Sequence, residues 1–173
     1  MGIQFETDYN METLTAMAKG LRKTVRKKRS RRVHIFAAVV LILGLLTILA
    51  TTAGGEPLGA SGVVLLALLV VILVSLFEDR LNAWFARKRL LPGTEHAAAT
   101  FAEEGYVSAT GVTESRFSYA QIVAVAETAR YFVFALSSHH TQAYDKRTIR
   151  GGSVEDFRAF IAEKTGKLVE KIK

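Results

Sequence analysis

Val33-His-Ile-Phe-Ala-Ala-Val-Val-Leu-Ile-Leu-Gly-Leu-Leu-Thr-Ile-Leu-Ala-Thr-Thr52 decides how the rest of this chain is read. From Ile35 to Ala50 it holds no charged side chain, and its one strong helix breaker is Gly44. About 20 mainly apolar residues, rising about 1.5 Å each in a helix, match the hydrocarbon thickness of a bilayer. Backbone groups in lipid must be satisfied within the segment, so such a block is helical. A second uncharged block runs from about Gly59 to Phe77. These blocks predict one transmembrane helix over 33–52 and a second over 59–91, the latter extended into the cytoplasm. The link over 53–58 contains a Gly pair and Pro57 and is too short to hold a domain. The two helices are therefore expected to form an antiparallel hairpin with 53–58 as an extracytoplasmic loop.

The basic residues orient this hairpin. Lys19, Arg22, Lys23, Arg26, Lys27, Lys28, Arg29, Arg31 and Arg32 precede the first block. Arg80, Arg87, Lys88 and Arg89 follow the second, and the link carries only Glu56. Lys/Arg residues are retained on the cytoplasmic side, so both termini are expected there, in a multi-pass protein of the cell membrane. A cleaved signal peptide is the rival reading. Its apolar core would be about 7–15 residues, shorter than the block seen here.

The whole net charge of +7 belongs to this region. Residues 1–92 carry 13 basic against 6 acidic side chains, while 93–173 carry ten of each. A nucleic-acid-binding domain would hold the basic surface itself, so no nucleic-acid partner is expected. The basic run holds the topology, and it is also expected to touch anionic lipid head groups. The residues assigned to that contact are Arg22, Lys23, Arg26, Lys27, Lys28, Arg29, Arg31, Arg32, Arg87, Lys88 and Arg89. Trp84 is expected to anchor at the membrane interface. There are no cysteines, which excludes disulfides, thiolate metal sites and a cysteine nucleophile.

Both flanks of the hairpin are patterned. Met11, Leu14, Met17, Ala18, Leu21 and Val25 recur at helical spacing, with Asp8 or Asn10 able to cap the start. The spacing predicts a basic amphipathic helix over 10–32 that runs into the first span. Leu81, Trp84 and Phe85 make a second stripe, and Pro92-Gly93 ends that helix. The two stripes are expected to pack against each other.

From Thr94 onward the pattern is that of short strands, forming a cytoplasmic domain over 94–173. Strands are expected over 95–103, Tyr106–Thr110, Ser115–Tyr119, Gln121–Glu127, Tyr131–Ser137 and Gln142–Tyr144. Glu103-Glu104-Gly105 and Ser138-His-His-Thr141 read as turns. A last helix starts at Ser153, with Asp156 three residues on, and carries Val154, Phe157, Phe160, Ile161 and Leu168 on one face. Its Lys164, Lys167, Lys171 and Lys173 suit its C-terminal end. The fold class is thus an α+β membrane protein: a two-helix hairpin plus a small antiparallel-sheet domain closed by a C-terminal helix.

The chain resembles the YcxB-like membrane proteins. The likeness rests on Ile3-Gln-Phe-Glu-Thr-Asp8, the hairpin, Phe101-Ala-Glu-Glu-Gly-Tyr-Val107, and Phe117-Ser-Tyr-Ala-Gln-Ile-Val-Ala-Val-Ala-Glu127 followed by Tyr131-Phe-Val-Phe134. Tyr119 stands where family members carry a Trp, and Asp145 precedes Lys146 where they carry a Pro. The resemblance implies that the C-terminal domain is like a bacterial pleckstrin-homology (PH) domain. It also implies that Ile3–Thr7, in the N-terminal segment 1–9, joins the C-terminal sheet, because a lone strand is unstable in water.

Nothing in the sequence reads as catalytic. His34, His96, His139 and His140 lack a metal-binding spacing, and no nucleophile elbow or phosphate-binding glycine loop occurs. The hairpin blocks contain no ionisable relay group beyond His34 at their border. The expectation is a non-enzymatic module, without cofactor or metal, that presents an interaction domain at the cytoplasmic face. Its partners would be anionic membrane lipids, a protein, or another copy of itself. The alternatives are an accessory subunit of a larger membrane complex such as a transporter, and an anionic-lipid-binding module. Contacts are expected on Gln121–Glu127, Tyr131–Ser137 and the turn around His139.

Overall fold

A computed structural model describes residues 2–54 and 58–172. The chain divides into two compact units: Met1–Lys27 with Asn82–Lys173, and Lys28–Leu81. The first unit is therefore assembled from both ends of the chain.

In it, β1 (Ile3–Asp8) pairs antiparallel with β2 (His96–Phe101), with Ile3 opposite Phe101 and Asp8 opposite His96. The sheet continues antiparallel through β3 (Tyr106–Thr110) and β4 (Glu114–Phe117). On β2 the apolar Ala97, Ala99 and Phe101 are buried and the alternate residues are exposed, the expected signature of a sheet with one solvated face. A second sheet has the order β7-β6-β5-β8. It contains β5 (Ala124–Glu127), β6 (Tyr131–Ala135), β7 (Thr141–Asp145) and β8 (Val169–Lys171). β8 lies parallel to β5, and the other neighbours are antiparallel.

The two sheets enclose one aromatic core. Phe5, Phe101, Phe132, Phe134, Tyr144 and Phe157 are all buried in it. Phe157 and Ile161 come from α5 (Val154–Thr165), which lays its apolar face onto the core. Ser153 and Asp156 cap α5 reciprocally, and Gly166 ends it in the left-handed conformation, at φ 64°. That stop corrects the longer helix read from sequence. Leu168 lies beyond it, almost fully exposed, and Lys171 belongs to β8.

The helix α1 (Met11–Lys23) covers the other face of the second sheet. Ala16 packs with Ala126, Tyr131, Val133 and Ala143. This explains why every residue of β6 is buried: one face meets the aromatic core and the other meets α1. The α1 stripe is therefore spent on this sheet, which corrects the expectation that it packs on the stripe after the second block. Asn10 caps α1 by accepting the Glu12 and Thr13 N–H groups. Gly20 lets the helix approach closely, since a Cβ there would lie 2.7 Å from Val133 Cγ1. Gly20→Leu is expected to lower stability by about 1–3 kcal/mol through overpacking. Chemical denaturation of the full chain, followed by near-ultraviolet circular dichroism, measures this, and an unchanged midpoint would refute the close packing.

The predicted continuous helix over 10–32 is broken. Thr24 donates both its N–H and its hydroxyl to the Gly20 carbonyl, ending α1, and the chain turns before α2 (Lys27–Ala53) begins. The helix read over 59–91 is broken as well. It is α3 (Leu58–Leu76) and α4 (Glu78–Lys88), with axes 74° apart at Phe77. Glu78 and Asp79 sit in the first turn of α4, where the helix dipole favours negative charge.

Within the second unit α2 has no buried residue, and α2 and α3 expose Phe36, Leu49, Val63 and Leu66 at 63–71%. The helix Lys27–Ala53 is long and apolar enough to cross a membrane. α3 meets that test only when counted together with the bent α4. A Cβ at Gly44 would lie 2.5 Å from Leu68 Cδ2, and the Thr51 and Ser61 hydroxyls bond at 3.1 Å. Thr47 and Ser75 bond carbonyls of their own helices. Within the link 53–58, residues 55–57, including Glu56 and Pro57, lie outside the described residues, as does Lys173.

Candidate functional site

The basic residues assigned to lipid contact divide between the two units. Lys28, Arg29, Arg31 and Arg32 are exposed on the first turns of α2. In the first unit, Lys23 and Lys27 are exposed and Arg22 is half-buried. Arg26 has a fixed role: its Nε donates to the Ser138 carbonyl at 2.7 Å, tying the α1–α2 turn to the turn after β6. Arg87, Lys88 and Arg89 are exposed at the end of α4. There Lys88 Nζ lies 3.6 Å above the Trp84 ring, and Phe85 packs edge-on against Trp84 at 4.9 Å. Trp84 and Phe85 are 44% and 51% exposed. An exposed indole with a cation on its face presents apolar surface and positive charge together.

Of the stretches expected to make contacts, Gln121, Val123 and Ser137 are exposed, while the strand interiors are not. Val125, Ala126, Glu127 and all of β6 are buried, and Tyr119–Gln121 form a short 3₁₀ turn rather than the start of a strand. The Ser138–His140 turn is exposed.

Two acidic residues buried in the first unit are fully engaged. Glu127 accepts from Arg158 through Nε at 2.7 Å and Nη2 at 2.8 Å, and from Lys146 Nζ at 3.0 Å. The Arg158 guanidinium, helped by Lys146, lowers its carboxyl from the ordinary 4.5 to about 2. Asp145 receives Arg130 at 2.9 Å and Arg147 at 2.9 Å, and its own N–H donates to Thr7 Oγ1. Arg130 also pairs with Glu12 of α1. These networks staple β1, α1 and α5 to the second sheet, and their geometry is structural. Sequence spacing could not show them, because every pair except Asp145–Arg147 joins residues distant in the chain.

The tyrosines form a third polar group. Tyr106 and Tyr144 both donate to Gln142 Oε1, at 2.8 and 2.7 Å. Tyr119 donates to the Ala102 and Gly105 carbonyls. Burial pushes Tyr9 and Tyr119 up to about 12 and raises Tyr106 and Tyr144 further, so all four stay neutral. Beside them is a cavity of about 280 Å³, lined by Tyr9, Ser108, Ser115, His140, Thr141 and Gln142 on its polar side.

His96 pairs with Asp8 at 2.7 Å on the surface, and His34 Nε2 lies 3.8 Å from Glu78. Among the described residues no group of three or more His, Asp or Glu side chains could hold a metal ion.

No curated protein and no solved structure matches this chain. A family match covers β3 to β7 and α5 as far as Ile161, leaving β1, α1 and β8 outside it. Residues 101–161 match the family described as YcxB-like protein, so this stretch of the chain is similar to that family.

Proposed function

We propose that this chain is a two-pass membrane protein that holds a PH-like interaction domain at the cytoplasmic face and acts by binding rather than by catalysis. The observation that carries this reading is the split domain. β1 and α1 precede the apolar helices and β2–β8 follow them, yet β1 and β2 are hydrogen-bonded neighbours. Both ends of the apolar segment must therefore emerge on the same side of any membrane it enters. If α2 crosses, α3 has to bring the chain back. The outward apolar faces of α2 and α3 favour hydrocarbon as their surroundings, since a soluble monomer rarely exposes so large an apolar surface.

The basic residues around the helix ends favour the cytoplasmic leaflet. Each contributes on the order of 1 kcal/mol of attraction to anionic lipid near the surface. Trp84 with Lys88 suits the same interface. Two sheets, four antiparallel strands in one and three in the other, closed by a helix, support the PH-like reading. The buried carboxylates are occupied by ion pairs, which supports a binding role.

The natural chain has no cysteine, so single-cysteine labelling tests the topology cleanly. Gly54→Cys, in the link, is expected to react with a membrane-impermeant maleimide in intact cells. Ala129→Cys, exposed in the β5–β6 turn, is expected to react only after permeabilisation. Equal labelling of both in intact cells would overturn the proposal.

A further inference from the structure

The inner face of the first sheet changes character along its strands. On β3 the inward positions are Tyr106, Ser108 and Thr110, and on β4 they are Phe117 and Ser115. Tyr106 stands opposite Phe117, and Ser108 stands opposite Ser115. One end of this face is thus aromatic and packed, while the other is lined by small hydroxyl side chains and opens to solvent, with Ser108 half-buried and Ser115 exposed. Here the small residues leave the cavity of about 280 Å³, just under the range of about 300–1,000 Å³ typical of ligand sites. No Lys, Arg, Asp or Glu lines it.

Its polar groups are unspent. Gln142 is 6% exposed, and its Oε1 is committed to Tyr106 and Tyr144. Its amide nitrogen has no hydrogen-bond partner among the described residues and stays open to solvent, since no buried side-chain nitrogen or oxygen among them lacks a partner. The hydroxyls of Ser108, Ser115 and Thr141 and the ring nitrogens of His140 likewise have no hydrogen-bond partner among the described residues. The opposite wall is apolar, made by Leu14 and Met17 of α1 and by Leu90.

We propose that this cavity binds the head of an uncharged polyol. The Gln142 amide donates to one ligand oxygen. The hydroxyls of Ser108, Ser115 and Thr141, which both donate and accept, match further ligand hydroxyls. The absence of a lining charge disfavours phosphates and carboxylates, whose desolvation would go uncompensated. The apolar wall takes the hydrocarbon face of a free polyol or the first methylenes of an acyl chain esterified to it. The cavity lies wholly within the first unit, so this inference does not rest on the membrane reading.

The test uses the full chain in phosphatidylcholine nanodiscs, free of sugar-headed detergent. The radiolabelled probes are glycerol and glucose for the free source and monooleoylglycerol for the lipid source. At least one is expected to bind saturably. Binding by glycerol or glucose assigns the free polyol, and binding by monooleoylglycerol alone assigns the lipid head. Ser108→Leu fills the void and is expected to weaken binding at least tenfold while keeping the thermal midpoint. Thr141→Val, which removes one hydroxyl at constant shape, is expected to weaken it at least threefold and covers the case in which Ser108→Leu does not fold. No saturable binding of any probe to the natural chain, or unchanged binding by the folded variants, overturns the proposal.

Discussion

Phe5→Ala is expected to destabilise the split domain by about 4 kcal/mol, within the range of about 3–5 kcal/mol measured for Phe→Ala in packed cores. Phe5 is 1% exposed, and its ring meets Phe157 at 4.6 Å, Tyr144 at 5.7 Å and Phe101 at 5.8 Å. These three partners come from α5, the second sheet and β2, so one side chain from the N-terminal segment joins every layer of the core. Domain stabilities are about 5–15 kcal/mol, and this loss is a large share. Urea denaturation of the full chain, followed by near-ultraviolet circular dichroism, reads the effect. A loss under about 1 kcal/mol would mean that β1 is dispensable to the domain.

Glu127→Ala is expected to cost about 3 kcal/mol at neutral pH, the low end of the range of about 3–5 kcal/mol for breaking a buried pair. The low end applies because Arg158 keeps 27% of its side chain in water, although Lys146 keeps only 14%. The pH dependence has a definite sign. The carboxyl is held at about 2 in the fold against an ordinary 4.5. Its stabilisation is therefore fully present above about 4.5 and is lost as pH falls toward 2. The natural chain and the variant should differ most at neutral pH and converge through that window. A constant difference between pH 6 and pH 2, as measured by denaturant midpoints, would mean that the Glu127 charge is not what stabilises.

Much of the fold is legible locally. The Ser153–Asp156 capping box announces α5, and β3 follows the Glu-Glu-Gly turn as read. The aromatic run of β6 reads as a strand because β-branched and aromatic residues favour one. The sequence did not reveal that β6 is buried on both faces, so a buried strand looked like a binding surface. Its second cover, α1, lies more than a hundred residues earlier, and a periodic stripe does not state what it packs on. β8 was also missed. Three residues carry no period, and Val169–Lys171 becomes a strand only because β5 offers an open edge.

The candidate sites were legible to different degrees. The basic residues and Trp84 were visible because charge and aromatic character are properties of single residues. The ion pairs at Glu127 and Asp145 and the cavity beside Gln142 were not, since each exists only where strands and helices from distant segments meet. Ser108 and Ser115 look like ordinary strand residues until the register sets them opposite each other on the inner face.

The sequence by itself determined that Val33–Thr52 is an apolar helical block and that basic residues crowd its N-terminal flank. Hydrophobic length and charge act residue by residue, so they need no partner. It also determined that Ile3–Thr7 must pair somewhere, because an isolated strand leaves its backbone groups to water. The tertiary structure alone decided that the partner is β2, with Ile3 set against Phe101. It also decided where the helices on either side of the apolar blocks break, at Thr24–Arg26 and at Phe77. Those outcomes depend on pairing and packing between residues far apart in the chain, and no local pattern encodes them.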